Sequence, residues 1–168
     1  TYQSDTNYQQ EIETELKKVD QSLSPFNKTS VITQVNQGKD IEVDEMFTEV
    51  FRMAESISKE TNGAFDITVA PMVNLWGFGF KQGVPPTKAK IDSIKTLVGY
   101  EKVALEKGRI IKQNPKIMLD CSAIAKGYGS DIVARFLKKK GISNYMVEIG
   151  GEIVVNGVSE KQVPWHIG

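Results

Sequence analysis

Two pairs of apolar runs lie so close together in this sequence that only hairpins can join them. Lys102–Leu105 and Arg109–Ile111 are separated by Glu106-Lys107-Gly108, and Tyr145–Ile149 and Ile153–Val155 by a break at Gly150-Gly151. Parallel neighbours need a crossover of a dozen or more residues, so each pair reads as antiparallel. Helical patterns fall between these strands without strict β-α-β alternation. That predicts an α+β fold with largely antiparallel strands and argues against a doubly wound sheet. The 168 residues carry no repeat, low-complexity tract or composition shift, so 1–168 reads as a single domain.

Between Tyr8 and Leu23 the apolar residues Ile12, Leu16, Val19 and Leu23 recur at helical spacing, and Pro25 ends the pattern. An extended stretch is expected around Val31–Val35, then a turn at Gln37-Gly38-Lys39 and a strand-like Ile41–Val43. Asp44 is placed to cap a helix with Phe47, Val50, Phe51, Ala54 and Ile57 on one face, stopped by Asn62-Gly63. The most apolar segment, Ala64–Phe80, begins like a strand, and Pro71 then opens a short helix or loop. Pro85-Pro86-Thr87 precedes a short helix with Ile91, Ile94 and Leu97 inward, ended by Gly99. Ile117–Leu119 reads as a buried strand delivering Asp120, and Ser122–Lys140 as a further helix stopped by Gly141.

Composition removes whole classes of function. Twenty-one Lys and Arg balance 21 Asp and Glu, so no global positive field holds a polyanion and no nucleic-acid partner is expected. One cysteine, Cys121, excludes an internal disulfide and multi-thiolate zinc. One histidine, His166, excludes sites built on several imidazoles, and with no triad partner in view it reads as structural. A metal here would be a hard, oxygen-bound ion. No run approaches the ~20 apolar residues that span a bilayer.

Chemistry concentrates at 119–129, LDCSAIAKGYG. A buried strand would end on the carboxylate of Asp120, and small residues would open a helix directly after it. Exposed amides at a helix start favour an anion, and Lys126 adds a positive charge. A phosphate or pyrophosphate suits that arrangement, with Asp120 on a metal or a sugar hydroxyl. The plainer alternative is capping, with Gly127 and Gly129 serving helix packing. Neither standard phosphate motif fits: no P-loop run exists, and Gly77-Phe-Gly79 is followed by Gly83, one place too late. Asp66, inside the expected apolar strand, must find hydrogen bonds or a cation. Trp76, Phe78 and Phe80 alternate, which favours core over stacking on a planar ligand.

Four segments in order resemble the ApbE family of flavin transferases, once described as thiamine-biosynthesis lipoproteins. They are SPFNKTS at 24–30 with Val35-Asn36, TNGAFDITVAPMVNLWGFG at 61–79, LDCSAIAKGY at 119–128, and EIGGEI at 148–153 with Pro164-Trp165. The resemblance implies an enzyme that splits FAD in the presence of Mg²⁺. It would pass FMN to a Thr or Ser hydroxyl of an acceptor flavoprotein subunit and release AMP. Carried over by motif position, Phe26, Ala64, Phe65, Asp66, Asp120 and Lys126 would line the FAD site. The backbone carbonyl of Ala123 would be a metal ligand, and no catalytic residue is assigned. The family usually has Tyr at the position of Phe26, so one hydroxyl contact is lost. An extracytoplasmic place, periplasmic or membrane-anchored through a lipid on an N-terminal segment absent here, is likewise implied.

Members of the family run to about twice this length, so the chain is expected to represent an N-terminal and central portion. The family's later histidine, aspartate and threonine segments, with further metal ligands, would lie outside it. Two other readings stay open beside transfer: metal-dependent hydrolysis of FAD to FMN and AMP, and an FAD-binding module without catalysis.

Overall fold

A computed structural model describes residues 1–78 and 85–168. They form two compact units, one of Thr1–Asp20 with Ala123–Gly168, the other of Gln21–Ser122. Helices α1 (Gln9–Leu23) and α6 (Ser122–Lys139) each have residues in both. No described helix is long and apolar enough to cross a membrane.

In the first unit the apolar face of α6 closes on a hairpin. Val133, Ala134 and Leu137 are buried with Ile142, Tyr145 and Val147, and Ile12 and Leu16 of α1 pack against them. The hairpin is β3 (Tyr145–Ile149) paired antiparallel with β4 (Glu152–Asn156), Ile149 opposite Glu152. Its two-residue turn is Gly150-Gly151, at φ 58° and 91°. That conformation is strained for any residue with a side chain, which accounts for both glycines. Thr1–Gln3 run along the other side of β3: Met146 N donates to Thr1 O at 2.8 Å and Gln3 N to Asn144 O at 3.0 Å.

The second unit is mainly helical. It holds α2 (Val31–Asn36), α3 (Glu45–Glu60), α4 (Ala70–Leu75) and α5 (Lys88–Lys95), with the hairpin β1 (Val103–Glu106) and β2 (Arg109–Lys112). Asp44 caps α3 as expected, its carboxylate accepting from Phe47 N at 2.8 Å and also from Ser22 Oγ at 2.8 Å. Phe47, Val50, Phe51 and Ala54 are buried along one face, Ile57 is half-buried, and Asn62 and Gly63 take positive φ after the helix. Lys107 and Gly108, at φ 47° and 76°, make the turn between β1 and β2. The mixture of helices and antiparallel strands is the expected α+β class.

Five expectations are corrected. Val31–Val35 is not extended but lies in α2, because Ser30 accepts from Thr33 N and starts a helix that buries Ile32 and Val35. Ile41–Val43 joins no sheet and touches the hairpin through one backbone bond, Val43 N to Gly108 O at 2.8 Å. The start of the apolar segment is not a strand: Asp66 caps a 3-10 turn over Ile67–Val69, which runs into α4 with Pro71 in its first turn. Ile117–Leu119 is buried but belongs to no ladder. Phe80, Gly79 and Gly83 lie outside the described residues, whereas Trp76 and Phe78 are 50% and 86% exposed. A core role for those two aromatics is therefore overturned.

Candidate functional site

The carboxylate of Asp120 is held by what surrounds its backbone. Ile117 and Leu119 are buried, so the polar groups between them need partners. Asn36, the last residue of α2, supplies them: Leu119 N donates to its Oδ1 at 2.7 Å, and its Nδ2 donates to Leu119 O at 2.8 Å. One side-chain amide thus stands where a neighbouring strand would. The next amide, Asp120 N, donates to Ile67 O at 2.7 Å. The Asp120 side chain then turns forward and accepts from Ser122 N at 2.8 Å, at the start of α6. That bond meets the first N–H of α6 from one residue before the cap position, and it engages Oδ1.

Beside this turn lies a hollow of about 80 Å³, lined by Pro25, Phe26, Asn36, Asn74, Phe78 and Asp120 among others. Phe26 and Phe78 stand at it 79% and 86% exposed. Solvated aromatic faces next to a carboxylate and two amide side chains form a surface on which a flat, polar ring system can rest. Behind the turn Cys121 is buried. Burial first, and the negative Asp120 second, push its thiol up to about 12. It stays protonated at neutral pH and is neither a nucleophile nor a soft-metal ligand.

Asp66 has a structural task as well. Its Oδ1 accepts from both Thr68 N and Thr68 Oγ1 at 2.7 Å, and Thr68 Oγ1 in turn accepts from Gly99 N at 2.7 Å. The Asp66 turn and the Asp120 turn are therefore joined through Ile67. Phe65 is half-buried, with its N–H on Thr61 Oγ1 at 3.2 Å, and Ala64 is exposed. Of the residues carried over from the family motifs, Phe26 and Asp120 line the hollow; Ala64, Phe65 and Asp66 adjoin it along the chain without lining it.

Ala123 and Lys126 fall in the opening turns of α6, and both are exposed. Lys126 Nζ donates to Gly150 O at 3.3 Å, and a Cβ on Gly150 would come within 2.9 Å of Lys126 Cδ. The glycine at this turn thus leaves room for the lysine stem as well as for the backbone. A helical carbonyl such as that of Ala123 keeps a second lone pair. Among the described residues, however, no three acidic, thiol or imidazole groups gather to hold a metal ion. His166 and Glu152 are exposed.

Asn36 and Asn74 are the two site residues that no reading of spacing singles out. Asn36 sits within a matched motif, but nothing local to a lone Asn at a helix end announces a partner 83 residues away.

The sequence model of the ApbE family matches residues 1–168. The chain belongs to the ApbE family. It is 39% identical over 164 residues to a Vibrio cholerae protein named FAD:protein FMN transferase, covering 95% of this chain and 49% of that one. It is also 39% identical over 168 residues to the Haemophilus influenzae protein of the same name, covering 94% and 49%. The solved structure of the flavin transferase ApbE from Vibrio cholerae superposes with a TM-score of 0.92 at 37% identity, over 99% of this chain and 55% of that one. The ApbE-family chain therefore spans about half the length of the curated relatives it matches.

Proposed function

We propose that this chain is the FAD-handling part of an FAD:protein FMN transferase. The observation that carries the reading is the Asp120 turn, fastened by Asn36 and Ile67 and flanked by exposed Phe26 and Phe78, in a chain similar to proteins of that name. In the reaction a Thr or Ser hydroxyl of the acceptor attacks the phosphorus on the FMN side of the pyrophosphate. A new P–O bond forms, the bond to the bridging oxygen breaks, AMP departs with that oxygen, and the hydroxyl proton is lost to a base outside the assigned residues. Phe26 offers a face for a ring of the dinucleotide, and Asp120 an acceptor for its hydroxyls. By family resemblance Ala64, Phe65 and Asp66 belong to the same reading, and so does Lys126 as a positive charge for a phosphate.

Mg²⁺, with the Ala123 carbonyl as one ligand, enters this reading through the family resemblance. The described residues do not by themselves complete a metal cage, so no step is derived through the ion. An extracytoplasmic place, periplasmic or lipid-anchored, belongs to the same reading and is checked by cell fractionation.

The test is product analysis of the full protein with FAD, Mg²⁺ and a Thr-containing acceptor. Mass spectrometry should find the acceptor heavier by one FMN less a water, with an equal amount of AMP released, and chelation should abolish both. Free FMN with unmodified acceptor would show hydrolysis instead, and FAD recovered intact would show a binder. Asp120→Ala should weaken FAD binding at least tenfold in a fluorescence titration while circular dichroism confirms folding. Unchanged affinity in a folded variant would remove Asp120 from the site.

A further inference from the structure

Hairpin β1–β2 has an open edge beside a cavity of about 260 Å³, whose lining shares no residue with the hollow at Asp120. Glu106 pairs with Arg109 and Ala104 with Ile111 across the two-residue turn. Those pairs exchange the ladder bonds, a parity that continues where Gln113 N donates to Lys102 O at 2.9 Å. The backbone N–H and C=O of Ile110 and Lys112 consequently point away from β1. Among the described residues no backbone or side-chain group pairs with them. Gly108 O, at the tip, accepts from Val43 N, and beyond that contact the edge is open along the cavity.

Gly38–Ile41 also line the cavity, whose lining carries more positive than negative charge, and Glu42 lies at the end of the edge, against Gly108. Lys39, Arg109 and Lys112 line it against a single carboxylate, Asp40, which ion-pairs with Arg109. Lys112 is half-buried and donates to Val35 O at 2.6 Å, which leaves two of its three N–H groups free to face the cavity. Exposed Ile111 adds an apolar step. Basic side chains on a strand edge repel a second copy of the same edge, which is how such edges escape self-association. The same charges attract a strand of opposite sign.

We propose that the outer edge of β2 is a strand-addition site for an extended, acidic segment of a partner protein. Backbone pairing with Ile110 and Lys112 supplies affinity, and Lys39, Arg109 and Lys112 select the partner by charge. The site shares no residue with the flavin reading and stands or falls apart from it.

The probe is a fluorescein-labelled peptide alternating Thr or Val with Glu, titrated with the full protein and followed by anisotropy. Saturable binding is expected, with at least a tenfold loss on raising the salt from 50 to 300 mM, because rim charges are screened at that strength. A similar loss is expected when the edge-facing amides of the peptide are N-methylated. The exposed Lys39→Glu should weaken binding on its own. Ile110→Pro should do so too, removing the outward N–H but no ladder bond to β1, with circular dichroism confirming the fold. Equal affinity for the N-methylated peptide, equal affinity for a Lys-for-Glu peptide, full competition by inorganic phosphate, or no binding would each overturn the proposal.

Discussion

Asn36 carries two bonds that a strand would otherwise have to make, both to the backbone of fully buried Leu119. Removing the amide strands a buried N–H and a buried C=O, each costing about 1–3 kcal/mol. Asn36→Ala should therefore destabilise the chain by about 2–6 kcal/mol in urea titration. It should also loosen the Asp120 turn, so that FAD affinity falls more than stability alone predicts. Cys121 gives a pH signature. Its folded pKa, about 12, is raised above the ordinary 9.0, so the native state holds the proton more tightly than the unfolded chain. Stability from this group is complete below pH 9 and is lost as pH climbs from there towards 12. Cys121→Ala should flatten the fall of urea midpoint across that window, and the wild-type thiol should react with thiol reagents only after unfolding. Ser58 Oγ, buried and without a partner among the described residues, makes Ser58→Ala a neutral or stabilising control.

At the level of elements, α2 shows how a short helix is started against local preference. Val31, Ile32, Thr33 and Val35 are β-branched and by propensity favour a strand. Ser30 reverses that: its hydroxyl accepts from Thr33 N at 3.2 Å and donates to Ser24 O at 2.7 Å, while Ile32 and Val35 sink into the unit. Ser30→Ala should cost about 1–2 kcal/mol. Because α2 ends on Asn36, part of that loss should appear as weaker FAD binding, and Ser30→Thr should restore most of it. The 3-10 turn after Asp66 follows the same logic, since a carboxylate taking two bonds from Thr68 bends what alternation alone marks as extended. Helices α1, α3 and α6 and both hairpins were legible because long amphipathic periods and two-residue glycine turns are local signals. The segments that alternation marks as strands are short, and three of them are held by a single polar side chain, Ser30, Asp66 or Asn36.

For the molecule as a whole, equal numbers of basic and acidic residues leave little repulsion between copies near neutral pH. Ile153, Val155, Val163 and Ile167 are exposed on or beyond β4 and add an apolar tendency to associate. Solubility of the isolated 168-residue chain should pass through a minimum near pH 6.5, the sequence isoelectric point, and rise on either side. A flat solubility profile by light scattering would separate association from net charge.

The candidate site was legible in part. Asp120 and Phe26 lie in the motif segments and both line one hollow; Asn74 lies in a motif segment too but has no spacing that singles it out, and the supporting role of Asn36 is hidden because its partner is 83 residues away. The amino acids alone determined the α+β class, the long helices, the two glycine hairpins and the exclusion of metal sites built on several thiolates or several imidazoles of this chain. Each of these is set by composition or by neighbours within a few residues. Only the tertiary structure decided that α2 is a helix, that 117–119 is held by an amide rather than a sheet, and that Phe78 faces solvent. Those outcomes depend on which polar group finds a partner in a distant segment, and hydrogen-bond satisfaction of that kind has no local period to read.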